Sequence, residues 1–140
     1  MAPIAATKID TEGFETRVLE SLRPVWPRMG DVLLELQPAA WRHHNVTTDG
    51  ALRTLRDIIT ANRYRVIRLL HPRPWWTRDQ LNRTGTIDVC APAEKPVLWR
   101  EYGFDELARF LRKEAEGGKR FFDFLFSSLE CPVVESKKPG

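Results

Sequence analysis

The chain has 140 residues, 42% of them hydrophobic and 29% charged, with a net charge of +3. That length suits one domain, and the apolar content is too high for a disordered tail. Its longest apolar runs, such as Val32-Leu33-Leu34, fall far short of the ~20 residues of a transmembrane helix, and Met1–Ala6 lacks the charged and apolar regions of a signal peptide. Cys90 and Cys131 share no CxxC or histidine-spaced pattern, so the sequence predicts no disulfide framework, no metal site and a reducing, cytoplasmic setting.

In chain order, Thr7-Lys8-Ile9-Asp10 is a short β-tolerant stretch closed by Gly13. Phe14, Val18, Leu19 and Leu22 recur at helical spacing, predicting a short amphipathic helix that stops before Pro24. Val32-Leu33-Leu34-Glu35-Leu36 is an apolar run between Gly30-Asp31 and Pro38, the pattern of a parallel strand covered on both faces. A second helix is capped by Thr48 or Asp49, carries Leu52, Leu55, Ile58 and Ile59 on one face, and stops at Asn62. Tyr64–Leu70 then has strand composition. Strands alternating with helices over short joints indicate right-handed βαβ units.

The pattern loosens between His71 and Arg120. Thr77-Arg78-Asp79-Gln80 has capping-box spacing and predicts a short helix, and Thr86–Cys90 predicts a small strand. Phe104, Leu107, Phe110 and Leu111 share a helical face that ends at Gly117-Gly118. Phe121–Phe126 is the last strand, and the segment 131–140 reads as a polar tail. No internal repeat is present.

The chemistry is sparse. There is no G-x-G spacing for a dinucleotide or P-loop cradle and no nucleophile elbow. Asp10 stands at the carboxyl end of the first strand, with Glu12 and Gly13 in the turn behind it. In open parallel sheets, ligands gather outside the carboxyl ends of strands, so Asp10 is placed at the crevice. Glu35, Gln37, His43 and His44 lie at or beyond the same end of the neighbouring strand. Glu35 within an apolar strand calls for a partner, because an unpaired buried carboxylate is costly. A divalent metal on Asp10, Glu12 and a histidine is a second chemical option, which no spacing compels. Arginine dominates 53–83 (Arg53, Arg56, Arg63, Arg65, Arg68, Arg73, Arg78, Arg83) against Asp57 and Asp79, and Trp75-Trp76 falls within it. This stretch supports a competing reading: a non-enzymatic binding module for RNA or an acidic partner. A solvated helix and strand explain the same arginines, so nucleic acid is not the expected partner.

Lys8-Ile9-Asp10-Thr11-Glu12-Gly13-Phe14-Glu15, followed by Val18-Leu19, resembles the K-I-D-x-E-G-x-E…V-L segment of the FkbM-type S-adenosylmethionine-dependent methyltransferases. The resemblance implies an α/β, Rossmann-like class I methyltransferase fold entered at its fourth strand. Val32–Glu35 then resembles the fifth strand, Tyr64–Leu70 the sixth and Phe122–Phe126 the seventh. On this reading 1–130 is the carboxyl half of the domain, with 71–120 inserted between its last two strands. The family's cofactor-holding glycine loop and second-strand acid have no counterpart here, so the chain alone is expected to lack methyltransferase activity. The resemblance implies O-methyl transfer to a hydroxyl acceptor, which is a small molecule, lipid or sugar, with S-adenosylmethionine as cofactor. Asp10 would sit nearest the acceptor, Glu12 would shape the turn or bind the acceptor, and Glu35 or His43 would assist proton removal. With no earlier strands beside it, Thr7–Asp10 becomes a sheet edge and invites self-association.

Overall fold

A computed structural model describes residues 2–64, 66–70, 86–87, 98–117 and 121–128. The elements are β1 (Ile4–Ile9), α1 (Glu15–Ser21), β2 (Met29–Leu36), α2 (Thr48–Ala61), β3 (Val66–Leu70), β4 (Thr86–Ile87), β5 (Leu98–Glu101), α3 (Phe104–Gly117) and β6 (Phe122–Ser127). Two 3₁₀ segments, Arg23–Arg28 and Pro38–His44, lead into β2 and away from it. Together these make a mixed α/β structure with one sheet of order β1-β2-β6-β3-β5-β4.

The chain returns through α1 to lay β2 parallel to β1, with Thr7 opposite Val32 and Ile9 opposite Leu34. The last strand, β6, enters antiparallel between β2 and β3, so β1, β2 and β3 point the same way. β1 is the outer strand on one side, as the sequence predicts for Thr7–Asp10.

Burial alternates along β2. Val32, Leu34 and Leu36 are buried, and β6 adds Phe124 and Phe126 to the same face. Leu19 of α1, Leu55 and Ile58 of α2, and Leu107 and Leu111 of α3 close over that face. Each such side chain contributes about 2 kcal/mol on burial, and a one-residue slip would expose the whole row, so the register is strongly specified. The other face carries Leu33, Glu35, Asp123 and Leu125, all only half-buried. The expectation of a β2 covered on both faces is therefore corrected. α1 packs on α2 and α2 on α3, which puts the described helices in one layer on one side.

The first helix follows the predicted spacing. The second begins one residue before the predicted caps: Thr47 is the N-cap, its hydroxyl accepting from the Gly50 N–H at 3.0 Å. Asn62 ends α2 as predicted and donates to the Trp26 carbonyl at 2.9 Å, tying the helix end to the 3₁₀ segment. β5 was not indicated by the sequence; it pairs with β3 and extends the sheet. The predicted helix at 77–80, residues 88–90 of the predicted strand at 86–90, and the tail at 131–140 lie outside the described residues. Among the described residues no helix is long and apolar enough to cross a membrane.

Candidate functional site

The turn between β1 and α1 is built by backbone conformation. Glu12 has φ 53° and Gly13 has φ 103°, two left-handed residues in succession. The second position requires glycine, because a Cβ there would lie 2.6 Å from the Ala40 Cβ. Glu15 locks the turn from inside: it is 0% exposed, and its Oε1 accepts the Gly13 N–H at 2.7 Å. Glu15 closes the Lys8–Glu15 segment, and its position two residues after the turn glycine lets it accept that N–H.

This turn sets Asp10 and Glu12 at the carboxyl ends of β1 and β2, where a cleft of about 500 Å³ is lined by Asp10, Glu12, Glu35, Gln37 and Phe121. Of the four predicted site residues, the structure brings Asp10, Glu12 and Glu35 together. His43 is exposed on the 3₁₀ segment and does not line the cleft. Its neighbour His44 approaches the turn instead, with Nε2 3.3 Å from the Glu12 carbonyl and its ring edge-on to Phe14 at 5.4 Å.

Two further charges join the group. Asp123 of β6 sits directly opposite Glu35, and Lys8 on β1 places Nζ 3.9 Å from Asp10 Oδ2. Asp123 stands in an aromatic run, Phe121-Phe122-Asp123-Phe124, which is the same signal that marks Glu35 in β2. Burial pushes the Glu35 carboxyl up to about 7, helped by its hydrogen bond to Asp10 and by the charges of Asp10 and Asp123, against Lys8. Burial also raises Asp123, with Lys8 opposing and Asp10 adding to the shift. Glu35 thus keeps its proton to a higher pH than an ordinary carboxyl, chiefly because it is buried.

A pH dependence follows. The Glu35 pKa is higher folded than unfolded, so the folded state binds more protons between about pH 4.5 and 7, and stability falls as pH rises through that window. Glu35→Gln is expected to match the wild type at pH 4 and to exceed its stability by about 1 kcal/mol at pH 8, after allowing for solvent screening. Chemical denaturation at the two pH values checks this; equal differences at both would show that Glu35 does not titrate in this range.

Among the described residues no group of three His, Cys, Asp or Glu side chains is arranged to hold a metal ion. Of the arginines in 53–83, only Arg53, Arg56 and Arg63 have described side chains; Trp75 and Trp76 lie outside the described residues. Arg56 stacks on Phe104 at 4.7 Å, and Arg53 is exposed on α2. No family model, curated protein or solved structure matches the chain.

Proposed function

We propose that this chain carries the acceptor side of an S-adenosylmethionine-dependent O-methyltransferase of FkbM type, and that the Asp10–Glu35 pair receives the acceptor's hydroxyl proton. The observation that carries this reading is the cleft that gathers Asp10, Glu12 and Glu35 at the carboxyl ends of two parallel strands, with Asp123 opposite Glu35. A base that titrates near 7 is matched to proton transfer at neutral pH. The strand order supports the reading as well: three codirectional strands with a closing strand inserted antiparallel between the second and third suit the last four strands of a class I methyltransferase sheet.

In this reading the acceptor hydroxyl donates to the Asp10 carboxylate, Glu12 and Gln37 hold the rest of the acceptor, and Lys8 offsets the negative charge. As the hydroxyl becomes nucleophilic, its proton passes to the carboxylate pair. The described residues do not themselves fit a cradle for the cofactor. The Gly13 N–H is already taken by Glu15, and Gly30 lies within β2 against the Ala5 carbonyl, so neither glycine forms an open phosphate- or cofactor-type loop. They are assigned to the acceptor alone. The protein purified from its native source, given S-adenosylmethionine with a labelled methyl group, is expected to label hydroxyl-bearing sugars or lipids. Absence of label from every hydroxyl acceptor, with label on amine or thiol acceptors instead, would overturn the assignment.

We also propose that copies of the chain associate through the outer edge of β1. Among the described residues no strand pairs with its outer backbone groups, which flank Ala5 and Ala6; these are small, exposed and uncharged, and Lys8 near the far end is the one charge on the strand. Light scattering after size exclusion is expected to show a dimer that Ala5→Lys converts to monomer. A wild-type monomer at every concentration would remove the proposal.

A further inference from the structure

On the helical side, away from the acidic cleft, a groove of about 300 Å³ runs between α1 and the first turns of α2. One end is closed by an ionic knot. Arg23 donates to both oxygens of Glu20 at 2.9 and 2.8 Å and to Asp57 at 3.0 Å, and Thr54 donates to Glu20 at 3.3 Å. The Arg23 bond holds the Glu20 carboxyl below its ordinary range, and the same guanidinium ties Asp57 into the knot. The other end is cationic. Arg17 gives one N–H to the Asn45 carbonyl at 3.0 Å and keeps its remaining donors, while Arg53 has no carboxylate partner among the described residues.

Two more features point at the same space. The amino-terminal turn of the 14-residue α2 borders the groove through Thr47 and Gly50; the Gly50 N–H is taken by the Thr47 hydroxyl, so the turn contributes the positive end of the helix dipole and no free donor there. Independently, Thr16 lines the inner wall, is 2% exposed, and its hydroxyl has no hydrogen-bond partner. A buried hydroxyl that no protein group engages keeps its hydrogen-bonding capacity for a group entering the groove.

We propose that this groove binds the phosphate group of a small phosphorylated ligand, held by Arg17 and Arg53 with Thr16 beneath. Two guanidinium forks and the Thr16 hydroxyl offer more donors than a carboxylate's two oxygens use, whereas a phosphate monoester has three terminal oxygens and a second negative charge. The site is separate from the acidic cleft and does not depend on the methyltransferase reading.

The test is a titration of the ¹⁵N-labelled full chain with phenyl phosphate, and separately with benzoate, at ionic strength held constant with chloride. Phenyl phosphate is expected to give saturable shifts at the amides of Thr16 and residues 47–51. Arg53→Gln should weaken binding about tenfold, the loss of one charge-assisted contact, and Thr16→Val should weaken it while Thr16→Ser does not. Because Arg53 is exposed, its variant decides the matter even if Thr16→Val fails to fold. No saturable shift, or binding unchanged in Arg53→Gln, overturns the site. Benzoate binding as tightly as phenyl phosphate overturns the phosphate assignment.

Discussion

Replacing Gly13 with alanine is expected to lower the melting temperature by about 10 °C. The residue sits at φ 103°, in a region that costs an L-residue about 1–2 kcal/mol. The added methyl would lie 2.6 Å from the Ala40 Cβ and 3.2 Å from both the Ala40 carbonyl carbon and the His44 Cδ2. Ala40 has little room to retreat, because its 3₁₀ segment is pinned by buried Pro38 and Trp41. Overpacking of this kind adds about 1–3 kcal/mol, for a total of about 3 kcal/mol, and a domain of this size loses about 3 °C per kcal/mol. Thermal unfolding monitored by circular dichroism measures it. The double variant with Ala40→Gly should recover part of the loss, since it removes the tightest contact and leaves the two at 3.2 Å and the dihedral cost. A melting point within 2 °C of wild type would mean the turn can rearrange at little cost.

In a protein that also carries the cofactor-holding half, converting Asp10 to asparagine is expected to reduce the proposed methyl transfer by about 10²–10⁴ in rate, the usual consequence of losing a positioned proton acceptor. The fold should survive, because Asp10 is exposed and its one ion pair, with Lys8, spans 3.9 Å at the surface. Folding and chemistry are thus separable at this residue. A second readout follows the proton. With Asp10 neutral, Glu35 loses the carboxylate that accepts its proton and a nearby negative charge, so its pKa should fall toward the ordinary carboxylate range. Carbon-detected titration of Glu35 shows this directly. An unchanged turnover number would make Asp10 a turn residue, and an unchanged Glu35 titration would break the proposed Asp10–Glu35 pair.

Local features of the fold were legible in the amino-acid order. The segment Lys8–Glu15 reads as strand, turn and helix because its apolar spacing changes period at a glycine, and the structure has β1, the turn and α1 there. The apolar faces of α2 and α3 and the aromatic strand β6 are written in the same local code. The edge position of β1 also agreed with expectation. Caps were less legible. Thr47, Thr48 and Asp49 are adjacent candidates with nearly equal propensity, and only the backbone turn into α2 selects Thr47.

What the order of residues did not settle was everything that depends on distant segments meeting. Whether β2 is buried on one face or two rests on where the helices pack, so its apolar run gave no warning that Leu33 and Glu35 would remain half-open. β5 is four residues long, too short to carry a period, and is recognised only by its pairing with β3. Asp123 faces Glu35 solely because β6 turns back and inserts antiparallel between β2 and β3. His43 and His44 are indistinguishable as letters, yet the 3₁₀ segment turns only His44 toward Glu12 and Phe14. Periodicity is imposed by neighbours along the chain and can be read there. The raised Glu35 carboxyl depends on burial and on Asp10 and Asp123, residues remote in sequence that approach it only once the sheet has closed its order.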